Sequence, residues 1–330
     1  MPESPGSESF SDLQAALRPQ TLEQFVGQED VKNKLAVKLL SAKSRGTVPE
    51  HILFSGPPGT GKTSLAGIIA NEMMGRLHKV HAPTVSKPKD LIQTIIQVGA
   101  GDVLFIDEIH RLPPAAAEML YPAMEDSKLN FMTGVEAQAQ TIELDLPAFT
   151  LVAATTRVGS LPRPLQDRFG MELRLELYNE NDLAKLVMAK AAVLNLDIDL
   201  EAALTIASRG RGTPRVAIQL LRWARDCAIA TETNFVDADF AVKSCNEMGV
   251  DDLGLTGEDR KYLKALFDAS KKSPAGLSLL ASLLATEAET LERSVEPYIM
   301  RLGLLERTPR GRVLTNEGLR YLNELEVLDL

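Results

Sequence analysis

The sequence predicts an α/β nucleotide-binding fold, with a parallel, doubly wound sheet followed by an all-α segment and a small helix–hairpin module. Three observations carry this. Residues 56–64, Gly-Pro-Pro-Gly-Thr-Gly-Lys-Thr-Ser, match GxxxxGK[ST] in full, between the apolar run His51-Ile52-Leu53-Phe54 and the helically spaced segment 65–72; strand, glycine loop and helix is the context a phosphate-binding loop requires. Residues 103–106 are apolar and run into Asp107 and Glu108, as a buried parallel strand does when it delivers acids to the end where ligands sit. Strands and helices alternate up to about residue 177, and from Asn181 the periodicity is helical, the order of an α/β domain followed by separate helical units.

Residues 1–12 are rich in Ser, Glu, Pro and Gly, so a disordered tail is expected over 1–16. Leu17-Arg18-Pro19 follows, placed upstream of the phosphate loop where it can lie against a nucleotide base. A helix is predicted over 29–44 from Val31, Leu35, Leu39 and Leu40. In the loop itself, Gly59 and Gly61 let backbone N–H groups turn toward phosphates, and the next helix offers the positive end of its dipole. Lys62 is placed to reach the β- and γ-phosphates, and the Thr63 hydroxyl, with Ser64 beside it, to bind Mg²⁺. The expected ligand is ATP with Mg²⁺. A strand at 79–81 and a helix at 90–98 precede the acidic strand. There Asp107 is expected to hold the Mg²⁺ shell and Glu108 to activate the attacking water.

Two alternating runs, 130–136 and 140–144, predict a β-hairpin projecting Phe131, Met132 and Val135 toward a partner or back onto its own domain. The strand 149–154 ends in Thr155 and Thr156, hydroxyls placed for a γ-phosphate or its water. A further strand is predicted at 171–177. Helices then follow at 182–194, 200–208, 214–230 and 237–246. Thr213-Pro214 reads as a helix start. It places Arg215 in the first turn, against the helix dipole, which suggests a functional position. After the break Asp251-Asp252-Leu253-Gly254, helices at 258–269, 277–284 and 287–302 and a short hairpin at 304–315 give the order of a winged-helix module. Residues 301–312 hold Arg301, Arg307, Arg310 and Arg312 against the single acid Glu306, a phosphate-backbone contact. The outward positions of 287–302 are expected to be acidic (Glu287, Glu289, Glu292, Glu296), which disfavours base reading by that helix.

Composition narrows the class. The chain has 330 residues, 45% hydrophobic and 25% charged, with a formal net charge of −9, a soluble globular profile that disfavours indiscriminate nucleic-acid binding by the whole surface. The two cysteines, Cys227 and Cys245, exclude a disulfide framework and fit a reducing compartment. No apolar run approaches a membrane span and no apolar signal core precedes the first helix, so a cytoplasmic location without membrane contact is expected.

Taken together, the motifs resemble those of the RuvB family, the AAA+ motors of Holliday-junction branch migration. The resemblance runs from about residue 17 to 315 and rests on Leu17-Arg18-Pro19, the phosphate loop, Asp107-Glu108-Ile109-His110-Arg111-Leu112, Leu120-Tyr121-Pro122-Ala123-Met124-Glu125-Asp126, Ala154-Thr155-Thr156-Arg157, Asp167-Arg168-Phe169-Gly170, Arg211-Gly212-Thr213-Pro214-Arg215 and Arg307-Thr308-Pro309-Arg310-Gly311-Arg312. It implies a large AAA+ ATPase domain at 17–179, a helical lid at 180–253 and a winged-helix DNA-binding domain at 254–330. It also implies a homohexameric ring that drives branch migration on double-stranded DNA in recombination and repair. The implied partners are a RuvA-like junction-binding protein and, further on, a RuvC-like resolvase. By the same likeness Leu17, Arg18, Asp126 and Tyr178 belong to the nucleotide site, and Thr155 or Thr156 is the first sensor. Arg168 is the arginine finger that reaches the neighbouring subunit, and Arg215 the second sensor. The hairpin with Phe131, Met132 and Val135 contacts the RuvA-like partner, and Arg307, Arg310 and Arg312 contact DNA. Gln166 stands where the family usually has arginine, the hairpin turn is acidic and neutral, and 286–289 lacks a basic residue. A clamp-loader-type AAA+ switch shares the ATPase motifs but lacks the arginine-rich wing.

Overall fold

The computed structural model describes residues 16–133, 140–271 and 273–328. They form two compact units. The first is the chain through Leu186 together with Thr213–Arg215, and the second is Val187–Gly212 with the chain from Val216 onward.

The first unit opens with α1 (Glu29–Arg45). Glu29 and Asp30 lie in its first turn and Lys43 and Arg45 in its last, matching the helix dipole, and Gly46 at φ 64° ends it. Then come β1 (Ile52–Ser55), α2 (Lys62–Glu72), β2 (Leu77–His81), α3 (Pro88–Ile95), β3 (Val103–Asp107), α4 (Pro114–Glu118), α5 (Leu120–Glu125), β4 (Lys128–Thr133), β5 (Gln140–Asp145), β6 (Thr150–Thr155), α6 (Arg163–Gln166) and β7 (Met171–Arg174). Five strands make one sheet in the order β2-β3-β6-β1-β7, with every neighbour parallel. Alternation along β3 shows why its sequence is continuously apolar. Leu104 and Ile106 join the core on one face with Leu53, Leu151 and Ala153, while Val103 and Phe105 join the other with Phe54, Val152 and Ala154. Because β1, β3 and β6 run together and in parallel, their C-terminal ends share one edge, and the phosphate loop, Asp107 and Thr155 are brought there.

β4 and β5 pair antiparallel from Lys128↔Asp145 to Thr133↔Gln140, so the predicted hairpin is present. Phe131 is half-buried against the core of the first unit. Val135 lies outside the described residues.

In the second unit the helical segment comprises α7 (Glu180–Val193) and α9 (Pro214–Ala230), both of which begin in the first unit, with α8 (Leu200–Arg209) and α10 (Ala238–Glu247). It is not helical throughout. β8 (Asp197–Ile198) pairs in parallel with β9 (Phe235–Val236). Each is the extended approach to an aspartate N-cap, Asp199 accepting from Ala202 N–H at 2.7 Å and Asp237 from Phe240 N–H at 2.8 Å. Two residues are too few for a periodicity to reveal.

The last module holds α11 (Gly257–Ser270), α12 (Leu277–Leu283), α13 (Ala288–Thr290), a π-helical turn at Leu291–Val295, α14 (Glu296–Arg301), β10 (Leu305–Thr308), β11 (Gly311–Leu314) and α15 (Asn316–Leu328). A reciprocal cap between Thr256 and Asp259 starts α11. The single helix expected over 287–302 is thus interrupted. Pro297 has no N–H and its ring crowds the carbonyl four residues back, so the backbone widens by one turn before it. With this change of phase Glu296, expected to face outward, is fully buried. Ala275 bridges Arg312, adding a third extended segment to the wing. α15 was not signalled by the pattern of the sequence.

Candidate active site and nucleic-acid interface

The phosphate loop is shaped by conformations open to glycine. Gly59 and Gly61 have φ of 78° and 106°, and a Cβ on Gly61 would lie 2.8 Å from the buried Phe25 ring. Lys62 is only 7% exposed. Its ammonium donates to the carbonyls of Gly56 at 2.8 Å and Pro57 at 2.7 Å. Burial pushes its pKa down, the charges of Glu108 and Asp107 work to hold it up, and that of Arg215 lowers it further. A polyanion entering the loop would offset the cost of that desolvation with its own charge. Thr63 and Ser64 occupy the first turn of α2, and both line a cleft of about 400 Å³ with Arg18, Gly67, Ala70 and Lys79. Leu17 beside it is buried. Tyr178 is buried against Gly27, pushing its phenol pKa up, and lines a second cleft with Gln28, Arg174 and Asp182.

Opposite the loop, Asp107 ends β3 and Glu108 follows at φ 53°, ψ 44°, a left-handed backbone that few non-glycine residues adopt. The Glu108 N–H donates to Asp107 Oδ1 at 3.1 Å. Thr156 Oγ1 donates to Glu108 Oε2 at 3.1 Å, and His110 Nδ1 lies 3.2 Å from the same oxygen. Thr155, fully buried, accepts from Arg157 N–H at 2.9 Å and is 2.9 Å from His110 Nδ1. Both threonines are therefore linked to the acidic strand end, one directly and one through His110. Reading by motif missed His110. Its position two residues after Glu108, inside a run of acids and apolar residues, was the available signal.

Thr213–Arg215 cluster with the first unit, where the Cβ of Arg215 and of Thr213 face Gly59. Arg168 is held within its own chain. It donates to Glu125 Oε2 at 3.1 Å and to the Pro164 carbonyl at 2.5 Å, and its guanidinium lies 4.5 Å from the Tyr121 ring centroid. Its Nε is buried without a hydrogen-bond partner. Asp126, next to Glu125, is exposed at the end of α5 and has no hydrogen bond or ion pair to the phosphate loop among the described residues. Gln166, just before the Asp167-Arg168-Phe169-Gly170 run, caps the preceding turns by donating to the Val158 and Leu161 carbonyls at 3.0 and 2.8 Å.

The wing distributes its arginines unequally. Antiparallel pairing sets Arg307 opposite Arg312, so both project from one face of the ribbon and meet Glu296. Arg307 Nε donates to Glu296 Oε2 at 2.6 Å, Arg312 Nε to Oε1 at 2.9 Å, and the Tyr262 hydroxyl to Oε1 at 2.7 Å. Glu292 Oε1 lies 3.5 Å from both guanidinium groups. Burial works to raise the Glu296 pKa, but the hydrogen bonds from Arg312 and Tyr262 and the charges of both arginines hold it below the ordinary carboxylate value. Arg301 donates to the Arg211 carbonyl at 2.6 Å. Arg310, at the exposed turn, has no ion pair among the described residues. The acids that offset the cluster come from the preceding helix, beyond the window in which the arginines were counted.

Three family models match the chain in succession. They are the Holliday junction DNA helicase RuvB P-loop domain over 17–175, the RuvB AAA lid domain over 178–251 and the RuvB C-terminal winged helix domain over 252–323. The chain belongs to the RuvB family. The Holliday junction branch migration complex subunit RuvB of Campylobacter curvus is 44% identical over 93% of this chain and 90% of its own length. That of Helicobacter pylori is 45% identical over 92% and 90%. The solved structure of the Thermotoga maritima RuvB Holliday junction branch migration motor superposes with a TM-score of 0.83 at 42% identity, covering 93% of this chain and 98% of that one. The AAA+ fold predicted for this RuvB-family chain, a parallel-sheet ATPase domain, a helical lid and a winged helix, is the one observed.

Proposed function

We propose that this chain is an ATP-driven motor that moves double-stranded DNA at Holliday junctions, as its RuvB-family membership indicates, and that it works as a homohexamer with a RuvA-like partner in the cytoplasm. A RuvC-like resolvase fits downstream. The observation that carries the reading is the shared sheet edge. Lys62, Asp107, Glu108, Thr155 and Thr156 converge there, in a chain that also carries an arginine-bearing winged helix. Among the described residues no helix is long and apolar enough to cross a membrane.

In this reading Gly59, Gly61 and Lys62 bind the phosphates, and Arg18, Leu17 and Tyr178 bound the nucleotide. Glu108 takes the proton of the attacking water while Thr155 and Thr156 orient the γ-phosphate. The donors fit Mg²⁺. Thr63 and Asp107 offer two hard oxygens, which suits an ion held largely by substrate phosphates and water. Bound Mg²⁺ would supply charge neutralisation at the phosphates. Arg168 acts in trans on the neighbour's γ-phosphate. Its exchange of Glu125 for a phosphate would make hydrolysis depend on assembly, with a trans arginine worth about 10³–10⁵ in rate. Arg215 reports nucleotide state to the lid. The β4–β5 hairpin, through Phe131, Met132 and Val135, docks the RuvA-like partner, and Asp126 belongs to the nucleotide site. On DNA, Arg310 contacts phosphate first, while Arg307 and Arg312 present the guanidinium edges that Glu296 leaves open.

ATP turnover with duplex DNA tests this. Glu108→Gln is expected to abolish hydrolysis with ATP binding intact. Arg168→Ala is expected to do the same, and mixing it with Lys62→Ala to restore partial turnover at mixed interfaces. Normal turnover by Glu108→Gln would refute the base, and no recovery in the mixture would refute the trans role.

A further inference from the structure

We infer that His110 is a positioning residue of the hydrolytic site. It holds the Glu108 carboxylate by one oxygen and couples it to Thr155. This rests on Glu108 being the base.

The side chain of His110 is 7% exposed, and its Nδ1 is set between two oxygens, 2.9 Å from Thr155 Oγ1 and 3.2 Å from Glu108 Oε2. The tight turn that follows Glu108 produces this. Arg111 N–H donates to the Glu108 carbonyl at 2.8 Å, which folds His110 back beneath the carboxylate two residues before it. Glu108 itself stands in a left-handed backbone conformation, disfavoured for an L residue with a Cβ, so its placement depends on the contacts its side chain makes.

A neutral imidazole nitrogen either donates or accepts. When Nδ1 carries the proton, the carboxylate is the stronger acceptor. Oε2 then has two donors, Thr156 Oγ1 and His110 Nδ1, while Oε1 has no hydrogen bond among the described residues, and the side chain is 26% exposed. When Nδ1 lacks it, the Thr155 hydroxyl donates to Nδ1, which the Arg157 N–H on the Thr155 oxygen permits, and Glu108 keeps Thr156 alone. One proton on one nitrogen thus decides how firmly the base is held. The choice is set from the same hydroxyl that is placed to read the γ-phosphate. Packing alone would need only a side chain of suitable shape at 110, and would not need a nitrogen between these two oxygens.

The test compares His110→Asn with His110→Leu in the full chain with duplex DNA. The two substitutions are nearly isosteric and differ in polar groups. A positioned base contributes about 10²–10⁴ in rate, of which positioning is a part. His110→Leu is expected to lower kcat about 10- to 100-fold, with KM for ATP within about twofold and the thermal midpoint lowered by only a few degrees, whereas His110→Asn recovers kcat to within about threefold of wild type. His110→Phe, which keeps a ring without the nitrogen, is expected to behave as His110→Leu and serves in its place if Leu does not fold. Equal kcat in the Asn and Leu variants, or an unchanged kcat in Leu, would overturn the inference. Glu108→Gln run beside them separates the two readings. If it retains turnover, the base assignment falls. If it abolishes turnover while His110→Leu does not, only the positioning role falls.

Discussion

Replacing Glu296 by alanine should unfold the winged-helix module far more readily than the loss of one side chain's packing would. Glu296 is fully buried and so is Tyr262. Removing the carboxylate strips the Tyr262 hydroxyl of its acceptor, an unsatisfied buried donor that costs about 1–3 kcal/mol. It also leaves Arg312, whose side chain is 15% exposed, with only the longer contact to Glu292. Arg307, 34% exposed, regains water and adds little. Breaking a buried pair in this way costs about 3–5 kcal/mol in all, a large share of the roughly 5–15 kcal/mol that holds a domain together. Trp223 is the one tryptophan and lies in the second unit, its indole N–H on the Ser244 carbonyl at 2.9 Å. Urea titration followed by its fluorescence therefore reads that unit, and circular dichroism followed alongside reads the whole chain. Glu296→Gln, which keeps the volume, should lose most of the same stability. It should also flatten the acid limb of the profile. The folded Glu296 pKa lies below its ordinary 4.5, so its contribution is present above that pH and is lost as the pH falls through the folded value. A loss below about 1 kcal/mol in Glu296→Ala would refute the view that this carboxylate organises the wing.

Other outcomes follow from the same contacts. His51 is held neutral: burial pushes its pKa below 6.5. Its Nδ1 accepts from Leu151 N–H at 2.9 Å, and its Nε2 is left to donate to the Met124 carbonyl at 3.1 Å. The stability of the first unit should accordingly be full above pH 6.5 and decline below it, and thermal melts of wild type against His51→Asn at pH 7.5 and 5.5 would show a smaller pH difference in the variant. Arg310→Ala should weaken duplex binding about equally across sequences and reduce the slope of log K against log salt by about 0.9; an unchanged slope would remove Arg310 from the phosphate contacts. Arg211→Ala should destabilise the second unit by about 3 kcal/mol, because it abandons the carboxylate of Asp259, which is 2% exposed. Denaturation with no shift in midpoint would contradict this.

The ATPase half was legible because its chemistry is local. Nine consecutive residues wrote the phosphate loop, and the apolar runs ending in Asp107 and in Thr155 became neighbours once the sheet was taken as parallel. What stayed hidden depends on long-range contacts or on a change of phase. Arg168 and Tyr121 are far apart in sequence, and nothing in either run shows the stacking that parks the guanidinium at Glu125. Glu296 was read outward because a regular helix was assumed. The π-helical turn ahead of Pro297 turns it inward, converting a stretch that counted as strongly basic into a ribbon in which Arg310 is the one arginine without an ion pair among the described residues. His110 was legible as a residue but not as a contact, since its role depends on β6 lying beside β3.

The central claim is that ATP hydrolysis at the shared sheet edge drives DNA through a ring of these chains. Its most direct measurement is ATP-dependent dissociation of a synthetic four-way junction by the full chain, with and without a RuvA-like partner, beside Glu108→Gln. The account predicts junction dissociation by wild type, stimulated by the partner and absent in the variant. Vigorous ATP turnover with an intact junction under both conditions would contradict it.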